Sequence, residues 1–310
     1  MIALPKYDIT ALGEILIDFV PDGVDSAGDM RFVRKAGGAP LNVLATAAKH
    51  GLKTAFVGRV GNDLLGDFLI ETVKGCGIDD SYLKKDDLHN TTLAFVELDS
   101  HGDRKFSFYR AFGADRFICE DDIDRNLTAE SKVFHFGSLS LTDEPSASAT
   151  ELAVRTAKEC GCTVTYDPNY RPPLWRSEEE AAKQMARLVP YTDIVKLSVE
   201  ELEMISGGKG AERLISQGVG LILVTDGGNG SELYFKGQRR HIPAEKAATV
   251  DTTGAGDIFF GTFISEYIKN GARLDEMSFD DAVKYAKRAA HIAAKSTERY
   301  GAIASIPPCV

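Results

Sequence analysis

From Lys132 to Asp257 the chain alternates short strand-like runs with longer amphipathic segments, and this order constrains the fold more than any other feature. Apolar, β-branched and aromatic residues crowd 133–136, 163–166, 194–196 and 221–225, each run short enough for a buried strand. Helix-length segments cover 144–159 and 178–188, and another starts at Val199. A parallel strand pair needs a long crossover, so repeated strand–helix order predicts a mostly parallel sheet with helices on both faces. The loops at the carboxyl ends of such strands form the functional edge. Here they are 167–171, 196–201, 225–230 and 251–257.

The last of these loops reads Asp251-Thr252-Thr253-Gly254-Ala255-Gly256-Asp257. It follows a short extended run, 247–250, and leads into an apolar segment, 258–268, long enough for a three-turn helix. A small-residue loop opening a helix is an anion site, because its N–H groups lack intrahelical partners and the helix dipole adds positive charge. Gly254, Ala255 and Gly256 carry little side chain to hold a phosphate away. Asp257 would repel that phosphate as a ligand, yet suits a base that deprotonates a hydroxyl attacking it. The plainer alternative is a glycine turn followed by an acidic residue that complements the dipole.

The N-terminal half is less regular. Residues 8–20 read as a strand pair or one bent strand, interrupted by Asp18, which is either an edge guard or a carboxylate for vicinal sugar hydroxyls. Gly37-Gly38-Ala39-Pro40 leads into a helix reaching about His50, with Asn42 in its first turn. A strand over 53–57 precedes Gly58-Arg59-Val60-Gly61, which is not a dinucleotide fingerprint, and a helix follows over 65–75. Residues 91–98 and 104–109 flank a glycine-containing turn and predict a hairpin, with Phe95, Val96, Phe106 and Phe108 as one greasy face.

The string 251–257, with Gly261 behind it, resembles the C-terminal signature of the PfkB (ribokinase-like) carbohydrate kinases. Residues 34–45, with Gly51 and Gly61, match the N-terminal signature, and the resemblance spans nearly the whole chain. It implies a ribokinase-like three-layer α/β sandwich, one domain over 1–310, with a β-sheet lid from about 14–34 and 91–110. It also implies that Gly254, Ala255 and Gly256 form an anion hole and that Asp257 is the catalytic base. Gly13-Glu14 with Asp18 looks like the start of bacterial fructokinases. On that resemblance the sugar ligands are Asp18, Gly37, Gly38, Asn42, Arg110 and Arg171. The nucleotide elements are Lys196, Ser198, Thr225, Gly227, Gly230 and Gly256. Glu201 corresponds to the family glutamate that positions Mg²⁺ through water, while Ser198 replaces the family asparagine. A K⁺ site would use Asp251, Thr253, Gly301 and Ser305. His291 aligns with no family element and receives no role.

The implied activity is transfer of the ATP γ-phosphoryl to a sugar, fructose first. 2-Keto-3-deoxygluconate, ribose or a nucleoside are the enzymatic alternatives, and a catalytically silent sugar sensor is the non-enzymatic one. Net charge is −10, which argues against nucleic-acid or anionic-membrane partners. Five scattered cysteines and the lack of any membrane-length apolar stretch lead to the expectation of a reduced, cytoplasmic protein. Short lid strands with exposed edges predict a homodimer through the lid.

Overall fold

The computed structural model describes residues 5–98 and 104–308. Strands and helices are numbered in chain order. The large sheet holds β1 (Tyr7–Leu12), β4 (Thr54–Gly61), β5 (Leu83–Asp86), β8 (Ser131–Gly137), β9 (Thr163–Asp167), β10 (Ile194–Ser198), β11 (Leu221–Thr225), β12 (Ser231–Phe235) and β13 (Gln238–Ile242). Their spatial order is β13-β12-β11-β10-β9-β8-β1-β4-β5. Every pair from β11 to β5 is parallel, and only the β11–β12 and β12–β13 pairs are antiparallel. The strand order reverses between β1 and β8, and in open α/β sheets that switch point is where ligands bind.

Side chains alternate across this sheet as the pleat requires. Val133, Leu221 and Leu223 join a core with α1 (Ala39–Lys49), α2 (Leu64–Gly75), α8 (Ala255–Lys269) and α9 (Phe279–Ser296). Phe134, Phe136, Ile222 and Val224 enter a second core on the opposite face. That core is covered by α3 (Arg125–Ala129), α4 (Ser146–Glu159), α5 (Glu178–Arg187), α6 (Val199–Ser206) and α7 (Ala211–Ser216). The architecture is therefore the expected three-layer sandwich.

A second sheet of four strands has the order β3-β2-β6-β7, from β2 (Leu16–Val24), β3 (Met30–Gly37), β6 (Leu93–Leu98) and β7 (Arg104–Tyr109). Residues 8–20 thus supply two strands in different sheets, not a bent strand and not a pair. The break falls at Gly13 (φ +156°), where a Cβ would lie 2.7 Å from Pro40 Cγ. The β6–β7 hairpin does not stand alone, because β6 pairs in parallel with β2. Its greasy face also differs from expectation. Phe106 lies opposite Val96, and Phe108 opposite Ala94, so Phe95 points the other way. The predicted turn falls at 99–103, outside the described residues.

Residues 247–250 form no strand. The Val250 and Asp251 N–H groups donate to Thr297 O at 2.7 and 3.0 Å, which ties this segment to the end of α9 instead. The β12–β13 hairpin had no sequence signal, because its turn places Lys236 (φ 48°) before Gly237 (φ 71°) where asparagine is the usual cue.

Candidate active site

Gly254 is the residue before α8, with φ 74° and ψ 0°, and no side chain caps the helix start. A Cβ at Gly254 would sit 2.6 Å from Ala302 Cβ, so both conformation and space call for glycine. A Cβ at Gly256 would lie 3.0 Å from Lys196 Nζ, so the lysine head rests against the first turn of α8.

Asp257, in that same turn, is buried. Its Oδ2 accepts from Asn42 Nδ2 at 2.7 Å. Lys196 Nζ, from β10, donates to Asp167 Oδ2 at the end of β9 at 2.9 Å. Burial and the Asp167 carboxylate push the Asp257 pKa up to about 6, against the opposing pull of Lys196, Asn42 and Arg171. A carboxylate held near the working pH range is suited to accepting a proton.

Three cavities run end to end past this point. The first, of about 380 Å³, is lined by Thr225, Gly227, Gly230, Glu245, Phe259 and the small residues of α9. The second, of about 310 Å³, shares Thr252 and Gly256 with the first and adds Lys196, Ser198, Glu200 and Glu201. The third, of about 80 Å³, shares Asn169, Arg171, Gly254 and Asp257 with the second. It is closed by Asp18, Asn42, Phe106 and Phe108. The small sheet therefore roofs the end of a continuous groove, and Asp257 stands where its middle and last compartments meet.

A model of the pfkB family carbohydrate kinases matches residues 6–308. The chain belongs to this family. It is 38% identical to the probable fructokinase-5 of Arabidopsis thaliana, over 96% of this chain and 94% of that one. Among solved structures, it is similar to the Xylella fastidiosa fructokinase with bound ATP, with TM-score 0.90, 31% identity and coverage of 97% and 95%. It is also similar to a Vibrio cholerae O395 fructokinase double mutant with fructose, ADP and potassium ion bound, with TM-score 0.86, 29% identity and coverage of 98% and 96%. The fold is thus the ribokinase-like one that the resemblance implied.

Within this pfkB kinase, Asp18, Gly38, Asn42 and Arg171 come together in the third cavity. Gly37 packs beneath it, where a Cβ would strike the Asp18 carboxylate. Arg110 is not among the residues lining the cavity, but it lies behind its wall, held by protein acceptors and donating to Leu139, which lines it. Its Nε donates to Asp115 at 2.7 Å, Nη1 to Thr142 Oγ1 at 2.8 Å and Nη2 to Leu139 O at 2.9 Å. With the guanidinium spent on three protein acceptors and 4% exposed, it braces the loop after β7.

Thr225, Gly227, Gly230 and Gly256 line the first cavity, whereas Lys196 and Ser198 lie in the second. Ser198 caps α6 in a reciprocal box: Glu201 N–H donates to Ser198 Oγ at 3.1 Å, and Ser198 N–H to Glu201 Oε2 at 2.7 Å. Glu201 Oε1 takes the Tyr170 N–H at 2.6 Å. Asp251 accepts from the N–H of Thr253 at 2.7 Å and of Gly301 at 2.8 Å, so these three cluster. Ser305 Oγ donates to Ala302 O at 2.8 Å. His291 pairs with Glu245 at 2.7 Å beside the first cavity.

Sequence reasoning passed over Glu14 and Asn169. Glu14 is buried in the third cavity wall, accepts the Ala39 N–H at 2.9 Å, and is pushed by burial to a pKa of about 7. Asn169 adopts φ 48° to turn the loop after β9 into the groove. The Gly13-Glu14 and Asp167-Pro168-Asn169 strings were the available signals.

Proposed function

We propose that the protein transfers the γ-phosphoryl group of ATP to a primary hydroxyl of a neutral ketose, with fructose yielding fructose 6-phosphate. The observation that carries this reading is the continuous groove with Asp257 at the junction of its second and third compartments. In this reading the nucleotide base and ribose fill the first compartment, the phosphates the second and the sugar the third. The fructokinase relatives, and the ATP, ADP and fructose bound in the neighbouring structures, support the same pair of substrates.

The charge of the sugar compartment favours a neutral substrate. Asp18 and Asp257 border it against Arg171, while burial pushes Glu14 toward its neutral form and the adjacent Arg110 is neutralised by its pair with Asp115. A 2-keto-3-deoxygluconate carboxylate would meet more like charge than opposite charge there. The catalytically silent sensor is disfavoured, because a silent copy has no use for an uncapped helix start beside a base of raised pKa.

In the reaction Asp257 takes the proton of the sugar's primary hydroxyl as that oxygen bonds to the γ-phosphorus and the bond to the β-phosphate oxygen breaks, leaving ADP. The start of α8 and the Lys196 ammonium stabilise charge on the transferred group. The small sheet aligns the acceptor and excludes water, which competes with the sugar as acceptor.

The second compartment fits a Mg²⁺ carried in on the phosphates, with Glu201 and Glu200 on its wall to hold coordinated waters. When bound, Mg²⁺ neutralises phosphate charge. Thr253 Oγ1 is buried without a protein partner, and together with Asp251 and the backbone near Gly301 and Ser305 it fits a K⁺ ion. A homodimer through the small sheet is also part of this reading. Phe32 and Tyr109 are 41% and 64% exposed on the face turned from the groove. Their rings pack on Phe95 at 5.4 and 5.5 Å. The free thiols of Cys76, Cys119, Cys160 and Cys162 agree with a reducing cytoplasm. Among the described residues no helix is long and apolar enough to cross a membrane.

The test is ATP consumption over fructose, 2-keto-3-deoxygluconate, ribose, tagatose and adenosine. Fructose should give the highest kcat/KM. A preference for the sugar acid overturns the charge argument, and no turnover with any of the five overturns the kinase reading.

A further inference from the structure

Asn42 reaches the groove from the first turns of α1, and Asp257 from the first turn of α8. The two helices meet closely. A Cβ on Gly261 of α8 would lie 2.7 Å from Thr46 Cβ and 2.9 Å from Val43 O of α1. Thr46 Oγ1 in turn donates to Asn42 O at 2.8 Å, which fixes the backbone that carries the amide. Across this contact Asn42 Nδ2 donates to Asp257 Oδ2 at 2.7 Å, between residues only 5% and 8% exposed. The other end of the amide, Oδ1, is buried with no protein partner. A flipped amide would set two acceptors face to face, so the carboxylate itself fixes the rotamer.

We propose that Asn42 is a positioning residue for Asp257: its amide pins Oδ2, leaves the other carboxylate oxygen to the attacking hydroxyl, and favours the ionised form. Its own Oδ1 is then free to accept from a second hydroxyl of the same sugar, so one side chain registers the substrate against the base. The inference rests on the reading of Asp257 as base.

The charged groups facing Asp257 are Lys196 on β10, Asp167 at the end of β9 and Arg171 in the loop beyond it. Asp18 and Glu14 border the same compartment. Burial and Asp167 favour the protonated acid, and the Asn42 amide acts with Lys196 and Arg171 against them. Removing the amide therefore raises the pH at which the base becomes active, an effect that loose packing alone would not produce.

The experiment uses the full chain with Asn42→Ala and Asn42→Asp. Carbon-13 carboxyl NMR of aspartate-labelled, sugar-free protein follows the Asp257 titration, assigned through Asp257→Asn. The pH profile of kcat is measured alongside. Asn42→Ala should move both the titration and the acidic limb of kcat up by about one pH unit, the effect of losing one hydrogen bond to a charged group. That is about a tenfold loss of kcat on the acid side. Asn42→Asp should raise the second ionisation of the resulting carboxylate pair, and with it the acidic limb of kcat, further still, since two carboxylates at this separation do not both ionise. The aspartate is isosteric and decides the matter if the alanine variant does not fold. An Asp257 titration unmoved in the folded variants overturns the proposal, even if kcat falls. Absence of turnover with every sugar would instead sink the kinase reading, and the NMR arm still decides the pairing.

Discussion

Lys196 Nζ and Asp167 Oδ2 form an ion pair 2.9 Å long between the ends of adjacent strands, with side chains 9% and 1% exposed. Burial alone would pull the lysine pKa down, but the carboxylates of Asp167, Glu201 and Asp257 outweigh it and raise the value. The ammonium therefore stays charged beside the first turn of α8. The two members of this pair act on Asp257 in opposite senses: after burial, Asp167 is the larger influence raising its pKa, while Lys196 pulls it down.

Lys196→Met keeps the length of the chain and deletes the charge. It leaves Asp167 buried without its partner, so stability should drop by about 3–5 kcal/mol, as for a broken buried pair. The KM for ATP should rise as well. Urea unfolding and initial-rate kinetics read the two effects. A cost below about 1 kcal/mol, the scale of an exposed pair, would mean that the pair does not act as a buried one.

Asp257→Asn should lower kcat by about 10²–10⁴, the contribution of a general base. It should also stabilise the protein at neutral pH. The folded-state pKa is raised from 3.8 to about 6, so between those values the folded protein binds more protons than the unfolded chain. Stability therefore falls as pH rises through this window, and the penalty is complete above about 6. The asparagine variant avoids a penalty of at most about 3 kcal/mol at pH 7.5, from roughly two units at 1.36 kcal/mol each. Its advantage should fade toward pH ~4. Thermal melts at the two pH values test this, and a pH-independent difference contradicts it. In the wild type, kcat should lose activity as pH falls through about 6.

Much of the candidate site was legible because residues that line the groove lie in two contiguous strings, 37–42 and 251–257, whose residue types fix helix starts and glycine turns wherever they fold. The parallel sheet was legible because buried strands and crossover helices differ in length. Three things were not. Arg110 ends a strand near the groove, but its three acceptors come from Asp115, Leu139 and Thr142, and no local pattern reveals them. Glu14 follows β1 in an apolar run, and only the fold brings the start of α1 against it. Phe95 and Phe106 belong to opposite faces of one hairpin: adjacent residues alternate, so Phe95 and Val96 cannot share a face, and only the pairing register shows that Phe106 and Phe108 side with Val96.

Asp18→Ala removes a carboxylate from the third compartment, where it stands beside Asn42 and Asp257. Loss of a charged hydrogen-bond partner is worth about 1.5–3 kcal/mol, so the sugar KM should rise about tenfold or more while the ATP KM holds. If the ATP KM rises and the sugar KM does not, the two ends of the groove have been assigned in reverse.

The two faces of the small sheet make opposite predictions. Phe106 and Phe108, stacked with centroids 5.9 Å apart, line the third cavity, the one proposed for the sugar. Phe19, Phe32, Phe95 and Tyr109 form the opposite aromatic face, with Phe19 and Phe95 stacked at 5.0 Å. Among the described residues the second face is the exposed one, and a twofold partner there would remove the Phe32 and Tyr109 rings from water. Tyr109→Glu should therefore give monomers by light scattering at micromolar concentration, because a second copy would have to bury the added charge. Phe106→Ala should leave the mass at twice the chain and raise the sugar KM, since it opens the roof of the compartment without touching the outer face. A monomeric wild type would refute the dimer. A monomeric Phe106→Ala beside a dimeric Tyr109→Glu would show that the interface uses the face assigned to the sugar.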